Sequence, residues 1–147
     1  MRITIGTIKQ VDQVATVLCE GYYSSLQKAK QYIKEKNKTK ECFVAIDKNK
    51  VVGVMIYSRA YSHNANYLEE VIVVKKQRRK GIAKALIKKF VIISKKETPK
   101  KQKYTLSSTD ITNKASIKMH KKCGFKEVGR IKRLHYGKDE IFFAYKL

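Results

Sequence analysis

Residues 68–85 read Leu-Glu-Glu-Val-Ile-Val-Val-Lys-Lys-Gln-Arg-Arg-Lys-Gly-Ile-Ala-Lys-Ala, and this stretch decides the fold. An apolar run, predicted to be a strand, leads into a basic turn that contains Gly81 and opens a helix. Amide N–H groups at the start of a helix lack intrahelical partners, and the helix dipole makes that end positive. Gly81 lets a ligand approach the backbone closely, and three cations precede it at positions 78–80. The stretch therefore predicts an anion-binding turn suited to phosphate.

The six residues of this turn, Arg78-Arg79-Lys80-Gly81-Ile82-Ala83, resemble a known signature. It is the R/Q-x-x-G-x-G/A pattern with which the GNAT family of N-acetyltransferases holds the pyrophosphate of acetyl-CoA. The preceding run Val71–Val74 is similar to the family strand whose backbone pairs with the pantetheine arm. Two other glycine-rich loops are excluded, because neither G-x-x-x-x-G-K-S/T nor G-x-G-x-x-G occurs in the chain. Acetyl-CoA is therefore the cofactor that the resemblance implies.

A second family motif follows at the expected distance. Residues 113–125 read Asn-Lys-Ala-Ser-Ile-Lys-Met-His-Lys-Lys-Cys-Gly-Phe and resemble N-x-x-A-x-x-L-Y-x-K-x-G-F. The early segment 43–54 also resembles the family pattern, so the likeness covers about residues 3–147. Two motifs in the right order, with strands between them, are far more specific than either motif alone.

Hydrophobic periodicity predicts the other elements of the fold. Helices are expected at about 11–20, 24–36, 82 to just before Pro99, and 113–123; strands are expected at about 3–8, 42–47, 51–57, 71–74, 104–108, 125–134 and 140–145. The polar segment Tyr61–Asn66 fits either a loop or the start of the strand that ends at Val74. This order predicts a mixed α/β sheet of six to seven strands flanked by about four helices, which is the GNAT fold by resemblance. A length of 147 residues suits one domain over 1–147.

The resemblance implies a role for each residue that matches a family motif. Contacts to the pantetheine arm are expected from the backbone of Val71, Ile72 and Val73, and from Asn113, which is also an expected helix cap. Contacts to the pyrophosphate are expected from Arg78, Arg79, Lys80, Gly81, Ile82, Ala83 and Lys84. Tyr22 and Tyr23 fall where variable family helices form one wall of the acceptor site. Core packing is the alternative use for an aromatic side chain there.

His120 is the main departure from the family pattern, which usually places a tyrosine four residues before the helix-ending Gly124. An imidazolium beside three lysines is disfavoured by like charge, so a neutral ring is expected at pH 7. We expect His120 to act as a catalytic acid or base, or alternatively to line the cofactor pocket as a polar residue.

The expected base is one of the twelve carboxylates. Glu69 and Glu70 stand just before the apolar strand, and only one of them can face the acceptor because successive strand side chains point to opposite faces. Family members often carry a glutamate here that deprotonates the amine, commonly through water. Glu69 is chosen as the base because alternate residues of a strand point to the same face, which places it on the face of Val71 and Val73. The alternative is that both carboxylates simply pair with neighbouring lysines.

The formal net charge of +22 raises the possibility of nucleic-acid binding. Twenty-eight of the 34 cations are lysine and only six are arginine, which favours a solvated surface over a groove for bidentate phosphate contacts. In either case the surface should repel polycationic substrates and attract acidic ones.

The composition also predicts the state of the cysteines and the location of the protein. The three cysteines, Cys19, Cys42 and Cys123, are odd in number and widely spaced, which predicts reduced core thiols and no disulfide framework. No metal site is expected, because the histidines form no close-spaced ligand pairs with them. The N-terminal segment lacks the apolar stretch of a signal peptide and no apolar run could span a bilayer, so a cytoplasmic location without membrane contact is expected.

The sequence therefore predicts an acetyl-CoA-dependent N-acetyltransferase that acts by direct transfer in a ternary complex. Its acceptor is a primary amine on a small molecule, a peptide N-terminus or a lysine, and an acidic or ribosome-associated partner is compatible with the charge. The alternative is a basic binding module on the same scaffold that acts on ribosomes or RNA with little or no catalysis. The acceptor itself and the choice between monomer and homodimer are left open by the sequence.

Overall fold

Seven strands form one mixed sheet in the order β1-β2-β3-β4-β5-β7-β6. The computed structural model describes residues 1–21 and 23–147. The strands are β1 (Arg2–Ile5), β2 (Cys42–Asp47), β3 (Lys50–Ser62), β4 (Ala65–Val73), β5 (Tyr104–Asp110), β6 (Lys126–His135) and β7 (Lys138–Lys146), and the helices are α1 (Val11–Cys19), α2 (Leu26–Lys38), α3 (Ile82–Glu97) and α4 (Lys114–Lys122). β4 and β5 run parallel, whereas β1–β2, β2–β3, β5–β7 and β6–β7 are antiparallel. The mixed α/β architecture expected from the sequence is confirmed.

The chain divides into two compact units. Unit 1 comprises Met1–Tyr57 and Glu70–Lys89, and unit 2 comprises Ser58–Glu69 and Phe90–Leu147. The expectation of a single domain over 1–147 remains a prediction. None of the helices in the described part of the chain is long and apolar enough to cross a membrane.

Unit 1 is built on a buried apolar cluster from α1, α2, β2 and β3. Val14, Leu18, Ile33, Val44 and Ile56 in this cluster are fully buried. The apolar residues of α1 recur at three- and four-residue intervals and therefore share one face of the helix. Each such side chain stabilises the fold by about 1.5–3 kcal/mol through removal of apolar surface from water.

Unit 2 has its core where α4 meets β5 and β7. Phe143 is fully buried and Phe125 is 2% exposed. Gly124 ends α4 with φ +90°, and Phe125 N donates to His120 O at 3.0 Å. A glycine directly after the predicted helix indicates a left-handed cap, followed by the return of Phe125 to the core, and both are confirmed.

The structure refines the local predictions. In the segment 61–66, which fitted either a loop or the start of a strand, β3 continues to Ser62, His63 and Asn64 (φ +48° and +62°) form a tight turn, and β4 begins at Ala65. Ile8 belongs to a short 3-10 turn and is 69% exposed, so the first strand ends earlier than expected. The spacing of Ala115, Met119 and Cys123 at four-residue intervals predicts a core-facing stripe on α4. This is wrong, because Cys123 is only half-buried and the buried residue of α4 is His120.

Candidate active site

The basic turn after β4 has the open backbone that the sequence predicted. Gly81 has φ +81°, and no described atom lies within 4 Å of the position that a Cβ would occupy there. Arg79 also adopts a left-handed conformation, with φ +67°. The guanidinium Nε of Arg78 donates to Val73 O at 3.0 Å, which ties the turn to the end of β4. Lys80 Nζ donates to Gln77 Oε1 at 2.8 Å.

The first turn of α3 presents unpaired amides beside these cations. Its first backbone bond runs from Ala85 N to Gly81 O at 3.0 Å, so the N–H groups of Ile82, Ala83 and Lys84 precede the helical ladder. The Ile82 side chain is 5% exposed and packs beside Gly53, which leaves only its amide for a ligand. Lys84 is exposed. Unit 1 therefore brings together all the residues expected to contact a diphosphate.

The end of β4 supplies an extended backbone next to this turn. Val71 is half-buried and Ile72 and Val73 are buried. β4 pairs in parallel with β5 at Tyr67–Leu106 and Leu68–Ser107. It continues to Val73, where it leads into the basic turn.

Glu69 and Glu70 are both half-buried in β4. The Ser58 hydroxyl donates to Glu69 Oε1 within unit 2. The choice of Glu69 over Glu70 as the base remains a prediction.

The His120 ring is locked in the core of unit 2. It is 3% exposed, stacks on Phe143 at 4.7 Å and lies edge-on to Phe125 at 5.5 Å. Its Nδ1 lies 2.8 Å from Ser116 O and its Nε2 lies 2.8 Å from Ser107 Oγ, so both ring nitrogens have hydrogen-bond partners. Burial lowers the pKa of His120, partly offset by the bond to Ser116. The lowered pKa agrees with the expected neutral ring, but its cause is burial of the ring and not the charge of nearby lysines.

Asn113 and the tyrosines have identifiable structural partners. Asn113 caps α4, and its Oδ1 accepts from Ser116 N at 3.1 Å, so the expected cap is confirmed. Tyr23 stacks on Tyr32 with ring centroids 5.6 Å apart and packs against the apolar cluster of unit 1. Tyr22 lies outside the described residues. The expected contacts of Asn113 with pantetheine and of Tyr23 with the acceptor remain predictions.

Sequence reasoning missed a polar group around Tyr67 in unit 2. The Tyr67 hydroxyl lies 2.6 Å from Ser108 Oγ, and the Ser108 hydroxyl donates to Glu140 Oε1. Glu140 Oε2 in turn lies 3.2 Å from His135 Nδ1. Glu140 was the available signal, because it is a carboxylate at the start of a predicted strand whose alternate residues are apolar.

The cysteines form no disulfide, and burial raises the pKa of Cys42 to about 12. Cys42 is buried, whereas Cys19 and Cys123 are half-buried, so the prediction of core thiols holds in full only for Cys42. Among residues 1–21 and 23–147, no three His, Cys, Asp or Glu side chains are arranged to hold a metal ion.

Comparisons with known proteins gave one family match and several similar folds. The family model described as acetyltransferase (GNAT) family matches residues 11–125. A search of curated proteins gave no match. The fold is similar to that of a GNAT-family acetyltransferase from Bacillus cereus, with a TM-score of 0.82, 22% identity and coverage of 99% of this chain and 96% of that one.

Two other solved structures share the fold. One is the ribosomal-protein-alanine N-acetyltransferase of Brucella melitensis, with a TM-score of 0.80, 20% identity and coverage of 100% of both chains. The other is a chain of the NatC complex bound to Gag peptide and CoA, with a TM-score of 0.79, 17% identity and coverage of 100% of this chain and 99% of that one. At these identities the likeness establishes the fold.

Proposed function

This chain belongs to the acetyltransferase (GNAT) family, and we propose that it moves an acetyl group from acetyl-CoA to a primary amine by direct transfer in a ternary complex. The observation that carries the proposal is the turn at Gly81. Its positive φ and the open space around it leave the amides at the start of α3 accessible, beside three exposed cations. This arrangement fits a diphosphate, because unpaired helix amides and fixed positive charge both favour an anion.

The cofactor is proposed to lie along the end of β4. The diphosphate of acetyl-CoA would be held by Arg78, Arg79, Lys80 and the amides of residues 81–84, and the pantetheine arm by the backbone of 71–73. Acetyl-CoA would supply an acetyl group activated as a thioester. An amide N–H at or next to Val73 would polarise its carbonyl, as backbone donors do in acyl transfer. The Brucella relative is named as an N-acetyltransferase, and the NatC structure contains CoA, which supports this cofactor.

Glu69 is proposed to receive the amine. An ammonium must lose a proton before its nitrogen can attack, and a carboxylate both attracts the cation and accepts the proton. Alternation along β4 gives Glu69 the same facing as Val71, two residues on. We place His120 outside the proton-transfer groups, because both of its ring nitrogens already bond to protein atoms.

A peptide N-terminus or a lysine is the proposed acceptor class. Two proteins with this fold are a ribosomal-protein-alanine N-acetyltransferase and a chain of the NatC complex, which was solved with a bound Gag peptide. The net charge of +22 adds a preference for acceptors on acidic molecules.

Thermal melting with acetyl-CoA tests the proposed turn. Acetyl-CoA should raise the Tm of the parent protein by mass action. Gly81→Glu brings bulk and negative charge to the turn and should abolish this rise. Gly137→Glu is the matched control, because Gly137 also has a positive φ (+85°) with no described atom within 4 Å of its Cβ position. The control should keep the full rise, and a parent-like response in Gly81→Glu would place the cofactor elsewhere.

Thiol release shows whether binding leads to transfer. Acetyl-CoA would be incubated with a peptide bearing a free N-terminus, an N-blocked lysine peptide and putrescine. Release with any of these amines supports the enzyme. Binding of single-stranded RNA that weakens with salt, with no thiol release from any of the three amines, would instead favour a basic binding module.

A further inference from the structure

A cleft of about 260 Å³ lies beside the loop that joins α3 to β5, and all of its lining residues belong to unit 2. We call it the α3–β5 cleft; its lining includes Lys95, Lys100 and Lys103. The loop is held in place, because Gln102 Nε2 donates to His63 O at 2.9 Å. Clefts for drug-sized ligands usually measure about 300–1,000 Å³, so this one suits a smaller group such as a phosphate.

Lysine is concentrated around this cleft. Residues 95–103 read Lys-Lys-Glu-Thr-Pro-Lys-Lys-Gln-Lys, which is five lysines in nine residues. All five are exposed, and none of them forms an ion pair within the described part of the chain. The single carboxylate of the segment, Glu97, already pairs with Arg59 at 2.8 Å. The cleft therefore carries positive charge that no neighbouring carboxylate offsets.

The dipole of α3 accounts for only part of this charge. Cations in the last turn of a helix interact favourably with its negative end, and Lys95 and Lys96 lie in the last turn of α3. Lys100, Lys101 and Lys103 lie beyond the helix, in the loop before β5. Like charges so close together repel one another and oppose compact structure. An anion bound in the cleft would offset this repulsion.

Thr98, which also lines the cleft, has an unsatisfied hydroxyl. Its Oγ1 is buried and makes no hydrogen bond to any residue that the structure describes. Buried polar atoms of folded proteins normally have a partner, and a hydroxyl can donate one hydrogen bond. Hydrogen bonds to a charged acceptor are the strong ones. A phosphate oxygen in the cleft would therefore satisfy this hydroxyl together with the lysine ammonium groups.

An exposed aromatic ring follows these cations directly in the chain. Tyr104, the first residue of β5, is 46% exposed, and its backbone N donates to Gln102 Oε1 at 3.0 Å. Its register partner on β7 is Lys146, which is also exposed. Cations that neutralise phosphates, beside an aromatic ring on which a base can stack, are the combination that binds single-stranded nucleic acid. An acidic peptide would use the cations alone.

We propose that the α3–β5 cleft binds single-stranded nucleic acid. One phosphate is held in the cleft by the lysine ammonium groups and the Thr98 hydroxyl, and a neighbouring base stacks on Tyr104. This binding goes beyond the acetyl transfer proposed above and uses no residue of the turn at Gly81. Lysine suits it, because an ammonium is a point charge that needs no planar bidentate partner. Contacts of this kind hold any sequence, since neither phosphates nor base faces identify the base.

Fluorescence anisotropy with a labelled single-stranded RNA of about 12 nucleotides, within the usual site size, tests the cleft. Lys95→Gln combined with Lys103→Gln removes two of its charges. The control combines Lys28→Gln with Lys38→Gln, which removes the same charge from exposed lysines of α2. The cleft variant should bind at least about tenfold more weakly at about 0.1 M salt, and its salt slope should fall by about 1.4, or about 0.7 for each lost phosphate contact. The control should keep the slope of the parent.

Two further substitutions leave the charge of the cleft unchanged. Thr98→Val should weaken RNA binding about tenfold. The Tm of the free protein should not fall, because the hydroxyl makes no hydrogen bond within the described part of the chain. Tyr104→Ala should weaken RNA binding about tenfold through loss of stacking. The controls are Thr4→Val at an exposed threonine of β1 and Tyr136→Ala at a ring that is 96% exposed, and both should bind RNA as the parent does.

Equal losses in the cleft and α2 double variants would show attraction by net charge alone and would overturn the site. A glutamate-rich peptide that displaces the RNA as well as unlabelled RNA does would overturn its assignment to nucleic acid. Duplex RNA bound as tightly as the single strand, with parent-like Tyr104→Ala, would overturn its assignment to a single strand.

The outcomes also separate this site from the proposed function. Acetyl-CoA, at a concentration that gives the full rise in Tm, should leave the RNA affinity of the parent unchanged. Competition between the two would assign the RNA to the turn at Gly81 and overturn the cleft. Absence of thiol release would overturn the proposed function and leave the cleft standing, whereas absence of RNA binding would overturn the cleft and leave the proposed function standing.

Discussion

At the scale of single residues, His120 stands where the family motif usually has a tyrosine, and the cause of its neutral state differs from the one that the sequence predicted. Its ring is 3% exposed, with a stacked phenylalanine and a bonded serine on unit 2 elements. The sequence predicted a neutral ring from the charge of adjacent lysines. Burial is the cause in the structure, because a charged imidazolium loses its hydration there.

This burial predicts an acid-labile contribution to stability. Unfolded histidine titrates near 6.5, and burial lowers the pKa of His120 in the folded protein. Above the unfolded value the contribution is fully present; as the pH falls toward the folded value, the unfolded chain binds a proton that the folded protein does not, and stability is lost. His120→Gln should cost about 1–3 kcal/mol at neutral pH and flatten the fall in unfolding free energy between about pH 7 and pH 5.

Urea unfolding at a series of pH values measures this effect. His63→Asn is the control, because His63 is exposed and has a φ of +48° that asparagine tolerates. It should keep the slope of the parent. A parent-like slope in His120→Gln would show that another group is responsible for the acid sensitivity.

At the scale of elements, the sequence predicted what is local in the chain. The strand, basic turn and start of α3 are contiguous, so the turn could be predicted, and an anion site proposed there, from one stretch of residues. The polar group around Tyr67 could not be predicted, because Tyr67 and Ser108 are 41 residues apart and Ser108 and Glu140 are 32 apart. Only strand order and register bring them together.

Two positions that hydrophobic patterning did not resolve share one physical cause. Asn66 is polar, in a stretch that fitted either a loop or the start of a strand, and it is 1% exposed. Its side-chain oxygen accepts a hydrogen bond from Ala60 N at 3.0 Å, and its side-chain nitrogen donates to Ser94 and Glu97. These bonds allow a polar residue to be buried in β4. His120 likewise replaces the apolar residue expected to be buried on α4. Hydrophobic patterning cannot anticipate a buried polar residue whose partners come from distant elements.

Asn113 allows the cap of α4 to be separated from cofactor binding. Asn113→Ala should lower the unfolding free energy by about 1 kcal/mol through loss of the bond to Ser116 N. Asn113→Asp keeps a capping oxygen and should preserve stability, but its negative charge should reduce the acetyl-CoA-induced rise in Tm if the side chain contacts pantetheine. Urea unfolding and thermal melting measure the two effects.

The control for this element is Ser25→Ala, which removes the corresponding cap of α2. It should cost a similar free energy and leave the rise in Tm unchanged. A full acetyl-CoA response in Asn113→Asp would limit Asn113 to its role as a cap.

At the scale of the whole molecule, 34 cations against 12 carboxylates give the protein a strongly positive surface. A cationic amine therefore meets a repulsive long-range field, and then the local negative charge of Glu69, the proposed base. A field of this kind affects encounter more than chemistry.

The net charge predicts how peptide acceptors will be ranked. Among peptides with the same first two residues, one with an acidic tail should have a lower KM than a neutral one, and a basic tail a higher KM, with kcat nearly equal because the tails lie outside the chemistry. Thiol release measures both constants. Raising the salt from about 0.1 M to about 1 M shortens the screening length from about 10 Å to about 3 Å and should bring the three KM values together. The neutral peptide is the control for general salt effects. A basic peptide that is preferred at low salt would show that local acidic groups such as Glu69 outweigh the net charge of the molecule in choosing the acceptor.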